Sequence, residues 1–166
     1  MPEERKLATI LFADIVGSTT LAAEHDPERI RAVFRRTFEH LRGVIETHGG
    51  TVEKFIGDEV MAVFGVPTAH DDDAQRAVRC ALAIREATAA FEPAARLEVA
   101  LRTGVNTGDV IASLDSGDQN LVTGQAVNAA ARLRAAAGPG EILVGALTKR
   151  LTDRGIRYGA ARAVEA

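Results

Sequence analysis

Thr51-Val52-Glu53-Lys54-Phe55-Ile56-Gly57-Asp58-Glu59-Val60-Met61-Ala62-Val63-Phe64 is the stretch that decides the fold. Two runs of strand-forming residues flank Gly57-Asp58, and a Gly-Asp pair between such runs predicts a β-hairpin. Gly65-Val66-Pro67 ends its second strand. Upstream, the apolar run Leu7 to Ala13 predicts a buried strand. It leads into Asp14-Ile15-Val16-Gly17-Ser18-Thr19-Thr20, where Gly17 breaks the strand and Ser18 or Thr19 can cap a following helix. Between strand and hairpin, Ile30, Val33, Phe34, Phe38, Leu41, Val44 and Ile45 recur at three- and four-residue spacing. That spacing predicts a helix over Pro27 to Thr47, with Pro27 in its first turn and Gly49-Gly50 as its stop.

Downstream, Asp71 to Asp73 open a second amphipathic helix with Ala74, Val78, Ala81 and Leu82 on its inner face. Leu97 to Val105 and Val110 to Leu114 predict a strand pair around a turn at Asn106-Thr107-Gly108-Asp109. Gly124 to Ala137 predicts an Ala-rich helix, stopped by Gly138-Pro139-Gly140. A short strand over Glu141 to Val144 and a short helix over Ala146 to Leu151 follow. The order βα ββ α ββ α β α predicts an α+β sandwich of the ferredoxin-like, split-βαβ type.

The chain has 166 residues, which predicts one domain spanning 1–166. Its 23 acidic against 20 Lys and Arg residues argue against a general nucleic-acid or membrane-surface binder. Aromatic residues are only 4% and Trp is absent, so a base-stacking platform for single strands is not expected. No apolar run is long enough to cross a bilayer, and the N-terminus lacks the apolar core of a signal peptide. Cys80 is the only cysteine, which fits a cytoplasmic setting and a small core residue. His70 beside Asp71, Asp72 and Asp73 reads as a helix start rather than a metal cluster.

The chemistry gathers on two carboxylates. Asp14 ends a buried strand and Asp58 sits at the hairpin tip, so pairing of the two elements brings both to one edge of the sheet. No Lys or Arg neighbours Asp14 in sequence, and nothing local neutralises the pair. Two such carboxylates suit Mg²⁺ or Mn²⁺, which take oxygen ligands and leave room for phosphate. Gly17-Ser18-Thr19 opens a helix directly after Asp14, and free N–H groups there favour phosphate. Metal beside a phosphate cradle points to nucleoside triphosphate chemistry.

Phe12-Ala13-Asp14-Ile15-Val16-Gly17-Ser18-Thr19 and Lys54-Phe55-Ile56-Gly57-Asp58, followed by Met61-Ala62-Val63-Phe64-Gly65, resemble the class III adenylate/guanylate cyclase catalytic domain. Leu101-Arg102-Thr103-Gly104-Val105-Asn106-Thr107-Gly108 and Gly124-Gln125-Ala126-Val127-Asn128-Ala129-Ala130-Ala131-Arg132-Leu133 are similar to its next two signature blocks. The resemblance is strongest to bacterial cyclase domains fused to ATPase regulators, which implies further regulatory domains in a full-length protein. It implies an adenylate cyclase that turns ATP into 3′,5′-cyclic AMP and pyrophosphate. Two metal ions per site would be held by Asp14, Asp58 and the backbone carbonyl of Ile15. It also implies a head-to-tail homodimer, in which one chain supplies the metal carboxylates. The other supplies the base-selecting Lys54 and the transition-state residues Asn128 and Arg132. Spacing agrees in part: Asn128 and Arg132 are four residues apart and share one helix face.

Three departures from the family pattern stand out. The residue expected to pair with Lys54 on the base is Leu121, whose side chain cannot hydrogen-bond adenine, leaving Asn120 or Thr123 as substitutes. Gln125 stands where an Asp is usual, and the family's final C-terminal hairpin is not contained in this sequence. The alternative reading is a weak or inactive pseudo-cyclase that serves as a nucleotide-binding or dimerisation module. A diguanylate cyclase is a second rival, but Ile56-Gly57-Asp58-Glu59-Val60 only partly echoes its hairpin motif.

Overall fold

The computed structural model describes residues 3–16, 26–91, 100–113, 121–161 and 163–164. Six strands and four helices lie among them: β1 (Glu3–Ile15), α1 (Pro27–Thr47), β2 (Thr51–Ile56), β3 (Glu59–Phe64), α2 (Asp73–Phe91), β4 (Leu101–Ser113), β5 (Leu121–Thr123), α3 (Gln125–Ala136), β6 (Ile142–Val144) and α4 (Ala146–Thr152). The sheet runs β2-β3-β1-β4-β5, with β6 also on β4. Neighbours pair antiparallel except β6, which is parallel to β4. β1 and β2 are thus linked through α1 with β3 inserted between them, the split βαβ arrangement expected from the element order.

Each face of the sheet has its own core. Leu11, Ala13 and Ile15 of β1 pack with Val60, Ala62 and Phe64 of β3 beneath α1 and α2. Those helices contribute Ile30, Val33, Leu41, Ile45, Val78 and Ala81, which their periodicity marks, together with Ala77 and Ile84, which it did not. Asp26 caps α1 by accepting from the Glu28 N–H at 3.1 Å, and Pro27 follows it. On the other face Ala8, Ile10 and Phe12 meet Met61, Val63, Val110, Ala112 and Val122 beneath Ala126 and Ala130 of α3. Cys80 is fully buried, and desolvation pushes its thiol up to about 12, the inert core residue expected.

The predicted strand pair around Asn106–Asp109 is corrected. One unbroken strand covers Leu101–Ser113, and its antiparallel partner β5 was not foreseen. The glycines that suggested a turn are there to let α3 approach. A Cβ on Gly104 would lie 2.4 Å from the Ala130 carbonyl oxygen and 2.4 Å from the Arg134 backbone nitrogen. One on Gly108 would lie 2.9 Å from the Ala126 Cβ. Gly104→Ala therefore pits a methyl against helix backbone, which cannot rotate aside. We expect it to cost at least about 2 kcal/mol and to lower Tm by roughly 5 °C or more in thermal unfolding. An unchanged Tm would mean that α3 does not pack this closely.

β1 extends further than the Leu7 to Ala13 core, and the other expected elements differ by one or two residues at their ends. Among the described residues no helix is long and apolar enough to cross a membrane. His70 caps the approach to α2, its N–H donating to Asp73 Oδ2 at 2.7 Å, in line with a helix start.

Candidate active site at one end of the sheet

Register alone places three charged residues in a row. Asp14 of β1 lies opposite Glu59 of β3 on one side and Arg102 of β4 on the other. Side chains alternate along strands, so these three point to the same face as Phe12 and Met61, the face covered by α3. Asp14 is only 7% exposed. Arg102 grips it bidentately: Nε donates to Oδ1 at 3.1 Å and Nη2 to Oδ2 at 2.9 Å.

Arg134 arrives from α3. Its guanidinium lies over the Phe12 ring at 5.7 Å, pairs with Glu59 and sits 3.7 Å from Asp14 Oδ2. Its Nε is buried with no hydrogen-bond partner among the described residues. No sequence neighbour neutralises Asp14, as expected, but the fold does. Its counter-charges come from 88 residues away on β4 and from the far helix, which local sequence cannot display.

Asp58 is brought to the same end of the sheet. The Ile15 N–H donates to the Asp58 carbonyl at 3.1 Å, which ties the hairpin turn to the end of β1. Both carboxylates act on one guanidinium: the hydrogen bonds Arg102 donates to Asp14 chiefly hold its pKa above its ordinary value, and the charges of Asp14 and Asp58 add to them. Asp14 and Asp58 therefore lie at the same end of the sheet, with Ile15 between them. The oxygens offered there, two carboxylates and a carbonyl, fit a hard divalent cation in their chemistry. Among the described residues no group of three or more His, Cys, Asp or Glu surrounds a metal position.

The remaining site residues divide. Asn128 is exposed and Arg132 half-buried on α3. Arg132 lies two residues before Arg134, which places it ~200° around the helix. The helix thus turns Arg134 towards its own Asp14 and presents the Asn128–Arg132 face elsewhere. Lys54 is exposed on β2 and pairs with Met61, so it lies on the α3 face. Leu121 begins β5 opposite Ser113. Gly17, Ser18, Thr19 and Asn120 lie outside the described residues.

The neighbourhoods of Lys54 and Leu121 meet through a residue the sequence did not single out. The register of β2 shifts between Val52 and Lys54, making Glu53 the extra residue of a bulge. Its Oε1 accepts from the Val122 N–H of β5 at 3.2 Å. β2 and β5 stand at opposite ends of the strand order, so the sheet coils until one side chain spans them. Burial raises the Glu53 carboxyl, and the Val122 N–H and Lys54 partly offset it.

The charged row under the Ala-rich α3, on a split βαβ sheet with two carboxylates at one end, makes this end of the sheet the candidate active site. The chain belongs to the family described as the adenylate and guanylate cyclase catalytic domain, whose model matches residues 2–164. It is 34% identical over 136 residues to adenylate cyclase 1 of Rhizobium meliloti (strain 1021), covering 78% of this chain and 20% of that protein. It is 36% identical over 143 residues to putative adenylate cyclase 3 of the same organism, covering 84% and 22%. The chain thus spans about a fifth of the length of these curated relatives. Among solved structures it resembles the adenylyl cyclase CyaB from P. aeruginosa, with TM-score 0.89, 30% identity and coverage of 95% and 85%. It also resembles the guanylyl cyclase Cya2, with TM-score 0.93, 29% identity and coverage of 100% and 88%. The fold expected from the sequence is therefore the observed one, and its neighbours include cyclases of both bases.

Proposed function

We propose that the chain is the catalytic domain of an adenylate cyclase that works as a homodimer and converts ATP to 3′,5′-cyclic AMP and pyrophosphate. The observation that carries this reading is the division of labour on α3. Arg134 faces its own Asp14, whereas Asn128 and Arg132 face away from it, as residues that complete a second copy's site would. A two-fold dimer then holds two equivalent sites, each built from both chains.

In this reading the carboxylates of Asp14 and Asp58 and the carbonyl of Ile15 hold two Mg²⁺ or Mn²⁺ ions. When bound, these supply positive charge that acidifies the ribose 3′-hydroxyl and steadies the departing pyrophosphate. The 3′-oxygen attacks the α-phosphorus, its proton leaves, and the bond to the β-phosphate oxygen breaks. Arg132 bears on the charge that builds on the transferring phosphorus, and Asn128 orients the ribose. Gly17, Ser18 and Thr19 offer N–H groups to the phosphates. Lys54 donates to the adenine edge, which an acidic residue at that position would not.

A panel of ATP, GTP, CTP and UTP with Mn²⁺ tests the reading, with cyclic AMP expected as the main product. Lys54→Glu should cut ATP use at least about tenfold, the worth of one charge-assisted hydrogen bond. Guanine need not be gained in exchange, because Leu121 offers it no polar group. Undiminished ATP turnover would leave Lys54 as an exposed strand residue without a base to read. Absence of turnover with all four nucleotides would favour the pseudo-cyclase alternative, to which Leu121 lends support.

A further inference from the structure

An adenine edge offers two things to a protein: a ring nitrogen that accepts and an exocyclic amine that donates. Lys54, as read above, can satisfy only the first, since an ammonium has no acceptor. An amine left unpaired in a closed site is costly and discriminates weakly. Leu121 carries no group that could accept from it. Thr123 is exposed on β5.

We infer that Glu53 is the residue that reads the purine's exocyclic amine, taking over the acceptor role that Leu121 cannot fill. The proposal rests on the reading of Lys54 as the base-facing lysine, and three features of the structure carry it. The bulge in β2 breaks the side-chain alternation at Glu53, the residue before Lys54, which opposes Met61 of β3, and the Lys54 charge acts on the Glu53 carboxyl. The Glu53 carboxylate is anchored from the far strand, Oε1 accepting from the Val122 N–H at 3.2 Å, one residue on from Leu121. That bond uses one of about four lone-pair positions on the carboxylate, which leaves acceptor capacity for an amine. The group is also half-buried, where a carboxylate with a single donor gains from a second. Burial raises its carboxyl accordingly.

A donor from one residue and an acceptor from the next matches a 6-aminopurine, whose ring nitrogen and amine are adjacent. Both ends of the Glu53 side chain are fixed, its backbone by the hairpin and its carboxylate by β5. The acceptor is therefore in place before the base arrives, and little side-chain entropy remains to be lost.

Purine riboside 5′-triphosphate, which lacks the amine, separates this role from a merely structural one. Wild type, Glu53→Ala and Glu53→Gln are compared on it and on ATP with Mn²⁺, by kcat/KM and by direct nucleotide binding, so that a slow enzyme still gives an answer. Glu53→Ala should weaken use or binding of ATP about tenfold or more and leave the amine-free nucleotide within about twofold. Glu53→Gln should keep most of the ATP preference, because its amide oxygen still accepts. Equal losses on both nucleotides would overturn the proposal and leave Glu53 as a tie between β2 and β5; no loss on either would overturn it as well. A wild type that treats the two nucleotides alike overturns it without touching the cyclase reading. A wild type that prefers GTP to ATP overturns the adenylate reading itself, and this proposal with it.

Discussion

Asp14→Asn chains should keep their fold and lose metal-dependent turnover by more than roughly a hundredfold, since even outer partners of metal ligands cost 10–100-fold. Asparagine preserves the shape of the side chain and one acceptor for Arg102 but removes the charge a divalent cation needs. Alanine is the cruder choice. It strips Arg102 of its bidentate partner and Arg134 of one of its two carboxylates, at a position 7% exposed. Breaking a buried pair in this way costs about 3–5 kcal/mol, less here because Arg102 keeps a third of its side chain in water. Activity and stability of Asp14→Ala chains should therefore fall together. Asp58→Ala removes a hairpin-turn side chain and should give the catalytic loss with a smaller drop in Tm. Turnover against Mn²⁺ concentration, beside thermal unfolding, separates the two effects. Undiminished turnover in Asp14→Asn or Asp58→Ala would remove those residues from the metal site.

The second large effect is a recovery. Asp58→Ala and Arg132→Ala chains should each be inactive alone, and a mixture of the two should regain activity. In a two-fold dimer with shared sites, a mixed pair has one site carrying both defects and one carrying neither. At equal amounts and free exchange, half the dimers are mixed and half their sites intact, so about a quarter of wild-type activity should return. The geometry behind this is intramolecular. Lys54 and Asp58 are four residues apart on one hairpin, while a nucleotide's base and phosphates are at opposite ends of an extended molecule. α3 likewise commits Arg134 to its own chain's Asp14 and turns Arg132 away from it. A mixture that stays inactive after proven chain exchange would overturn the shared-site arrangement.

The two predictions draw on different kinds of information. Asp14 and Asp58 stood out in sequence because each sits in a local pattern, a strand end and a hairpin tip; Asn128 and Arg132 stood out through the resemblance to the cyclase blocks, with which their i, i+4 spacing agrees. Arg102, Arg134 and Glu59 did not, since nothing in their immediate neighbours marks them. Arg134 in particular reads as one more basic residue near a helix end. Glu53 was passed over as an ordinary strand residue, because a bulge leaves no trace in the alternation of side chains until the partner strand is known.

What the sequence determined by itself is the set of elements and their order. Apolar periodicity is a property of consecutive residues, and it marked α1, α2, α3 and the β2–β3 hairpin without reference to the rest of the chain. From that order the split βαβ arrangement followed. It failed where a glycine's meaning depends on a distant neighbour: Gly104 and Gly108 suggested a turn, whereas they admit α3 against an unbroken β4. Only the tertiary structure decided the electrostatics of the site. It set Glu59, Asp14 and Arg102 in one row across three strands, lowered Arg134 onto them from a helix, and coiled the sheet until Glu53 reached β5. The physical reason is range. Local conformation is fixed by neighbours in sequence, but a buried charge is satisfied by whichever opposite charge the fold carries to it, and those partners lie far apart along the chain.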